Sequence, residues 1–509
     1  MMKKKGMVIK MKALYDAVQI HREDNVAVAV RPLSQGCQVT VAGQAYTLQN
    51  EIPFGHKFAL RPIAQGERVV KYGHGIGYAL QPIRTGEWVH VHNVRTSLSG
   101  QLNYAYEPAA TCREDLDGCP DTFEGYFRSD GSVGIRNELW ILPTVSCVNS
   151  TVSTIAQEAR LRYAGRCDGI YAFPHNSGCS QLGDDHLITQ RLLRSIVKNP
   201  NAGGVLLVSL GCENNNLGEF LPVLGPVDEA RVKWMIAQET EDEVEHALEL
   251  IGQILDVMEQ DHRQTAPASK LRLGFKCGGS DAFSGITANP LCGRISDRLT
   301  ALGGTAVLTE VPEMFGAEQL LMNRAADEEV FQKIVRLING FKQYYMDYNQ
   351  PIYENPSPGN RKGGITTLEE KSLGCIQKGG GAVVTDTLDY GQQCSKPGLN
   401  LMTGPGNDSV SLTDLLAAGV QIIIFTTGRG NPLGSAVPVI KVASNSSLYR
   451  RKPGWIDFNA GELLEGSSSD EVRDQLWQLL LDTASGRYIT RNEEQNNREI
   501  MIFKNGVLL

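Results

Sequence analysis

The sequence predicts an α/β protein in which a small N-terminal β-domain precedes a large, mostly parallel α/β region, itself divided into two subdomains. Three observations carry that expectation. A strand–turn phrase with Pro and Gly recurs in the first hundred residues, and apolar runs alternate with helical stretches from Phe123 onward. At 509 residues the chain is also too long for a single core.

The repeated phrase reads AVRPLSQGCQVTV from Ala29, ALRPIAQGERVVK from Ala59 and ALQPIRTGEWVHV from Ala79. Each copy is a short apolar strand, a proline, a turn closed by Gly36, Gly66 or Gly86, and a second short strand. The copies are too brief and irregular for a solenoid, so residues 1–105 read as one compact β-domain. Residues 106–122, which include EPAATCREDLDGCPDT, are polar and irregular and read as a linker.

The α/β domain expected over 123–330 has strand runs LWILPTV, GIYAFPH, GVLLVSL, LRLGFKC and TAVLTEV. A helix is expected over Thr240–Gln260, where apolar residues keep helical spacing after an acidic first turn. Continuous apolar strands separated by helices indicate parallel pairing. A C-terminal α/β domain over 331–509 opens on the helical stretch EEVFQKIVRLINGFKQYYMDY and the Gly/Pro-rich segment YENPSPGNRKGGITTLEEKSLG. Strands AVVTDTL, QIIIFTTG and PVIKVAS and the helix SDEVRDQLWQLLLDTA come after them.

Composition excludes several classes. The chain is 41% hydrophobic and 21% charged with a net charge of −8, and it has no block of basic residues interleaved with aromatics, which argues against a nucleic-acid partner. No apolar run reaches about 18 residues, so no membrane span is expected. The basic start MMKKKGMVIKMKALYDA lacks the apolar core and cleavage site of a secretory signal. Eleven cysteines without CxxC pairs suit a reduced, cytoplasmic protein.

The residues just beyond the end of each strand are the informative ones. IYAFPH ends in His175 and runs into Cys179; VLLVSL runs into Cys212 and Glu213; LRLGFK runs into Cys277, Gly278, Gly279, Ser280 and Asp281. TAVLTE leads to Glu310 and Glu313, and IIIFTTG delivers Arg429 between two glycines. In an open parallel sheet the carboxyl ends share one rim, where ligands bind. On that basis Cys179, Cys212 and Cys277 are expected to approach one another, with His175, Glu213, Ser280, Asp281 and Arg429 beside them. The plainer reading is that Cys and Gly are small and tolerate tight turns; Cys277 alone fits a metal ligand, a nucleophile or a turn residue.

In the β-domain, HVHN reads as a strand that points His90 and His92 to one face, a spacing suited to a metal or an anion. His56 and Lys57 precede another strand. The Gly-rich segments match neither the dinucleotide fingerprint nor the P-loop, and no GxSxG elbow is present. Arg429 between glycines suits a carboxylate clamp.

Taken together, these phrases resemble one family over essentially the full length. HREDNVAVAV, IPFGHKFAL, KYGHGIGYAL, FEGYFRSDGSVGIRNELWILPTVSCVN, HNSGCSQLGDDH, LGCENN, CGGSDAFSGITANP, TEVPEMFGAEQLL, NPSPGNRKGGITTLEEKSLG and TTGRGNPLG occur in the order of the altronate/galactarate dehydratase family. The N-terminal part resembles a SAF-type β-domain. HVHNVRT and GCSQLGDDH resemble the altronate branch, whereas a sulfolactate sulfo-lyase relative carries the two parts on separate chains.

The resemblance implies a hydro-lyase that dehydrates D-altronate to 2-dehydro-3-deoxy-D-gluconate with Fe(II), Mn(II) being a substitute. A galactarate dehydratase or a non-catalytic sugar-acid binding protein is the alternative, and self-association into a homo-oligomer is a further expectation. The C2 proton is a very weak acid, and a divalent metal on the carboxylate and C2 hydroxyl would stabilise the enediolate. Under this reading Cys179, Cys212 and Cys277 hold the metal, with His175 or Glu213 as base or further ligand. Arg429, Ser280 and Asp281 bind substrate, while His56, Lys57, His90 and His92 close the site from the β-domain. Three thiolates with an open position would also suit an iron–sulfur cluster.

Overall fold

The computed structural model describes residues 15–109, 116, 118–506 and 508; the basic start, Cys112 and part of the linker lie outside them. The N-terminal unit is all β. Strands Ala17–Val18, Val26–Ala29, Lys57–Ala59 and Trp88–Val89 form an antiparallel sheet in that order. The hairpins Gln38–Val41/Gln44–Thr47 and Arg68–Lys71/His74–Ala79 come from the second halves of the repeats. One correction arises here: HVHN is a turn after Val89, not a strand. Asn93 imposes it, its Oδ1 accepting from His90 N at 2.9 Å while its Nδ2 donates to Trp88 O at 2.8 Å. His90 is therefore buried and His92 exposed, and they do not share a face.

The α/β region contains two parallel sheets. The first takes β1 (Glu138–Pro143), β2 (Gly169–Ala172), β3 (Ala202–Ser209) and β4 (Val232–Ile236) in the order β2-β1-β3-β4. Helices α1 (Asn149–Arg162), α2 (Gly183–Val197), α3 (Leu217–Leu224) and α4 (Glu243–Met258) pack around it. Every residue of β1 is buried, as a strand covered on both faces requires. α4 starts where Asp242 accepts from Glu245 N, within the helix read from its periodicity.

The second sheet has seven parallel strands: β5 (Arg272–Cys277), β6 (Thr305–Leu308), β7 (Val384–Leu388), β8 (Gly398–Met402), β9 (Ile422–Thr427), β10 (Val439–Ala443) and β11 (Phe458–Asn459). Their order is β7-β8-β6-β5-β9-β10-β11. Helices α5 (Ala288–Ala301), α6 (Glu328–Asp347), α7 (Leu368–Cys375), α8 (Asp408–Ala417) and α9 (Ser469–Ala484) surround it. Because β5 and β6 pair with strands from beyond residue 330, the sheets divide the chain near residue 268. Between them Thr122–Phe127 pairs antiparallel with Gln264–Pro267, fastening the start of the first unit to the start of the second. The strand ends thus form two rims rather than one.

Candidate active site

At the carboxyl end of β5, the central strand of the seven, the chain turns sharply through Gly278 and Gly279. A side chain on Gly278 would meet the Phe425 ring at 2.6 Å and Asp408 Oδ2 at 2.7 Å, and Gly279 has φ +64°, so both positions demand glycine. Cys277 is held directly before this turn. Its Sγ lies 3.0 Å from Glu313 Oε2 and 3.4 Å from Cys375 Sγ, and Cys375 Sγ lies 3.1 Å from the same carboxylate oxygen. All three residues are buried, and their donor atoms lie within 4.8 Å of one another.

Each member arrives by a different route. Glu313 comes after β6 in a short turn entered through Glu310, a non-glycine residue at φ +68°. Cys375 is the last residue of α7, one helical turn after Lys371. Lys371 Nζ donates to Glu313 Oε1 at 2.7 Å and to Asn355 Oδ1 at 3.1 Å. Lys276 pairs with Glu310 and, at 2.8 Å, with Asp408, and Lys378 reaches Glu310 at 3.4 Å.

Electrostatics are set by this packing. Burial opposes ionisation of Glu313, but Lys371, Lys276 and Lys378 outweigh it and hold its carboxyl well below the usual range. The contact with Cys277, together with burial, pushes the Cys375 thiol well up. Lys276, Lys371 and Lys378 are matched one for one by Glu310, Glu313 and Asp408. Ionising both thiols would add two negative charges that none of these three lysines is left to balance, and a divalent cation would supply that balance. Two thiolates and a carboxylate are a donor set suited to iron or zinc. Cys277 and Glu313 open into a cavity of about 420 Å³, lined also by Gly279, Asn355, Ser357, Asn360, Lys371 and Asp408. That volume accommodates a small polar substrate.

The residues expected from sequence fall into four places. Cys277 is at the cavity. Arg429 stands beside it, exposed, its backbone N donating to Gly279 O at 3.0 Å. Ser280 Oγ is buried without a hydrogen-bond partner among the described residues. Asp281 is engaged in holding loops together: it accepts from Ser284 N at 2.9 Å, Ser444 Oγ at 2.8 Å and Asn445 Nδ2 at 3.0 Å.

The β-domain residues press on the segment leading into α7. Lys57 Nζ donates to Gly364 O at 2.8 Å, Thr366 Oγ1 at 2.8 Å and both oxygens of Glu370, at 3.0 and 2.9 Å. Lys71 donates to Glu370 Oε1 at 2.8 Å. Burial lowers Lys57 to about 8 despite Glu370. Glu370 is brought down to about 2, the two lysines overcoming burial. His90 Nδ1 lies 3.1 Å from Thr366 Oγ1, and His56 Nε2 lies 3.3 Å from Lys362 O. Burial pushes His90 down to about 3, and Lys57 adds to it. His92 packs its ring 5.0 Å from that of Trp88.

His175, Glu213, Cys179 and Cys212 sit at the rim of the four-stranded sheet, apart from the group that Cys277 joins. His175 Nε2 donates to Pro143 O at 2.7 Å and its Nδ1 accepts from Ser177 N at 3.2 Å, a neutral ring used as a tie. Glu213 accepts from Thr144 Oγ1, Ser209 Oγ, Leu210 N and Gly211 N. Cys375, Lys371 and Asp408 carry no role in the sequence-based reading. The signal for the first two is present in EEKSLGC, where a lysine and a cysteine four apart share a helix face.

Comparison with known proteins agrees with the division into three parts. Residues 15–97 match the altronate/galactarate dehydratase SAF domain. Residues 125–259 match the second domain of D-galactarate dehydratase/altronate hydrolase, and 268–508 the C-terminal part of D-galactarate/altronate dehydratase. An altronate dehydratase of Escherichia coli is 49% identical over 97% of this chain and 99% of that protein. An altronate dehydratase of Bacillus subtilis is 48% identical over 97% and 99%. A galactarate dehydratase (L-threo-forming) of Escherichia coli is 35% identical over 94% of each chain. With three domain matches in register and relatives aligned end to end, the chain belongs to the altronate/galactarate dehydratase family.

Proposed function

We propose that the protein is a hydro-lyase that removes water from D-altronate to give 2-dehydro-3-deoxy-D-gluconate, a step in hexuronate breakdown. The observation that carries this reading is the near full-length identity of 48–49% to two altronate dehydratases, against 35% to a galactarate dehydratase. The cavity at Cys277 supports it with groups suited to the reaction.

In this reading Cys277, Glu313 and Cys375 hold Fe(II), with Mn(II) as a substitute. The metal, when bound, supplies Lewis-acid stabilisation of the charge that develops on the substrate carboxylate and C2 hydroxyl. Arg429, at the rim of the cavity, pairs with the carboxylate. Asp408 lines the cavity and its side chain is 29% exposed, which supports giving its carboxylate the role of taking the C2 proton. Burial disfavours the charged Lys371, yet Glu313 and the two cysteines raise it overall, so it is protonated and can donate to the departing C3 hydroxyl. Loss of water leaves an enol that tautomerises to the 2-keto acid. Lys57 and Glu370 act indirectly, fixing the helix that delivers Lys371 and Cys375. The ten described cysteines are all free, which fits a reducing cytoplasm.

The test is incubation of the Fe(II)-loaded, full-length protein with D-altronate under anaerobic, reducing conditions, with a colour assay for 2-keto-3-deoxy acids. Galactarate is run in parallel. Product from altronate at the higher kcat/KM is expected; product from galactarate alone, or none from either, would sink the reading.

A further inference from the structure

The rim of the four-stranded sheet carries a second cysteine constellation. Among the ten described cysteines, three are exposed: Cys147, Cys179 and Cys212. Free cysteine is one of the most buried residue types, so three exposed thiols need an account. They come after β1, β2 and β3, and those strands are neighbours in the order β2-β1-β3, all parallel. Each cysteine therefore leaves the same edge of the sheet from an adjoining strand.

The loops that bear them are tied to one another. Ser146 N donates to Ser177 O at 2.9 Å, Asn215 N to Gly178 O at 3.1 Å, and Ser180 N to Asn214 Oδ1 at 2.7 Å. Gly178 has φ +103°, and a side chain there would meet Thr144 O at 2.1 Å, so the Cys179 loop is pressed onto the Cys147 loop. Glu213, next to Cys212, reaches across to Thr144 Oγ1 at 2.6 Å. Near the sulfurs themselves, Gln238 Nε2 donates to Cys212 Sγ at 3.4 Å and Ser180 Oγ lies 3.8 Å from Cys179 Sγ.

We propose that Cys147, Cys179 and Cys212 are the three thiolate ligands of a second metal centre, a cubane iron–sulfur cluster seated on this rim. The spacing favours a cluster over a single ion. The three sulfurs do not form a group within 4.8 Å, which among the described residues only Cys277, Glu313 and Cys375 do. A four-iron cube takes each cysteine on a different iron and tolerates wider separation. The N-termini of α1, α2 and α3 lie just beyond the three cysteines and favour the negative charge of such an assembly. Amide and hydroxyl donors close to the sulfurs are groups that tune a cluster's potential. The proposal does not depend on how the Cys277 site works.

The experiment is anaerobic reconstitution of the full-length protein with iron and sulfide, then desalting and analysis of iron, acid-labile sulfide and visible absorption. About four irons and four sulfides per chain are expected at the cluster. Cys147→Ser, Cys179→Ser and Cys212→Ser should each lose at least about tenfold of the sulfide and the chromophore. Cys167→Ser, on the same sheet but away from its rim, and Cys277→Ser should keep both. Iron without sulfide, or a chromophore that survives the triple Cys147→Ser/Cys179→Ser/Cys212→Ser variant, overturns the proposal.

Discussion

The two parallel sheets meet solvent in opposite ways at their carboxyl rims. On the seven-stranded sheet the thiols of Cys277 and Cys375 are buried against Glu313, among lysines whose charges are matched by carboxylates. On the four-stranded sheet the thiols are exposed, and the buried polar groups, His175 and Glu213, serve as ties between loops. One rim buries its reactive groups at the wall of a cavity; the other presents them on a scaffold of hydrogen bonds. The same residue types can therefore mark two kinds of chemistry, and their surroundings decide which.

The largest expected difference between the rims is in turnover. Glu313→Gln keeps the shape but removes the charge that faces both thiols, and a loss on the order of 10³-fold in kcat/KM is expected, the scale of losing one group that stabilises developing charge. Glu213→Gln makes the same change on the other rim, and its kcat should stay within about tenfold while stability falls by about 1–3 kcal/mol. Steady-state kinetics and denaturant unfolding of both variants test this, and equal losses of turnover would erase the contrast.

Next in size is the clamp from the β-domain. Glu370 is buried between Lys57 and Lys71. Glu370→Gln leaves two buried ammonium groups without their counter-charge and should cost about 3–5 kcal/mol in urea unfolding. A cost under about 1 kcal/mol would mean the β-domain is not fastened through this pair.

Much of this was legible in the sequence, and the gaps have physical causes. Cys277 with the Gly278–Gly279 turn, and Glu310 with Glu313, could be read because each set lies directly after its own strand, β5 or β6. For Cys375 the sequence shows only a helix face shared with Lys371, not its place at the site, since α7 is brought in by tertiary packing rather than by its own strand. The division into two sheets was hidden because an apolar run shows that a strand is buried, not which strand it pairs with. GLNLM, a short run without β-branched residues, became β8, paired on both sides between β7 and β6, through its neighbours. HVHN misled because alternation suggested a strand where the Asn93 side chain imposes a turn.

A pH dependence sharpens the view of His175 as a tie. Burial pushes its ring down to about 4 against the hydrogen bond to Pro143 O. The unfolded chain takes up this proton near pH 6.5, so nothing is lost above that value. As pH falls from about 6.5 to about 4, the fold should lose up to about 3 kcal/mol from this residue. His175→Gln should be less stable at neutral pH but flatter across that window, so that the gap to the parent narrows on acidification. A gap that stays constant would show that His175 takes up its proton at the same pH in the folded and unfolded chain, so that burial does not hold it neutral.

The smallest effect tests exposure itself. Cys147 is exposed and Cys375 buried. In metal-free protein kept reduced with a chelator, Cys147→Ser should shift unfolding by no more than about 0.5 kcal/mol, as for other surface substitutions. Cys375→Ser places a hydroxyl in a buried site against Glu313 and Cys277 and should cost about 1–3 kcal/mol. The chelator separates packing from ligation, because any cost that remains cannot come from a lost metal. Should Cys147→Ser cost as much as Cys375→Ser, the thiol at the four-stranded rim is packed rather than presented. The two rims would then differ in their neighbours but not in their access to solvent.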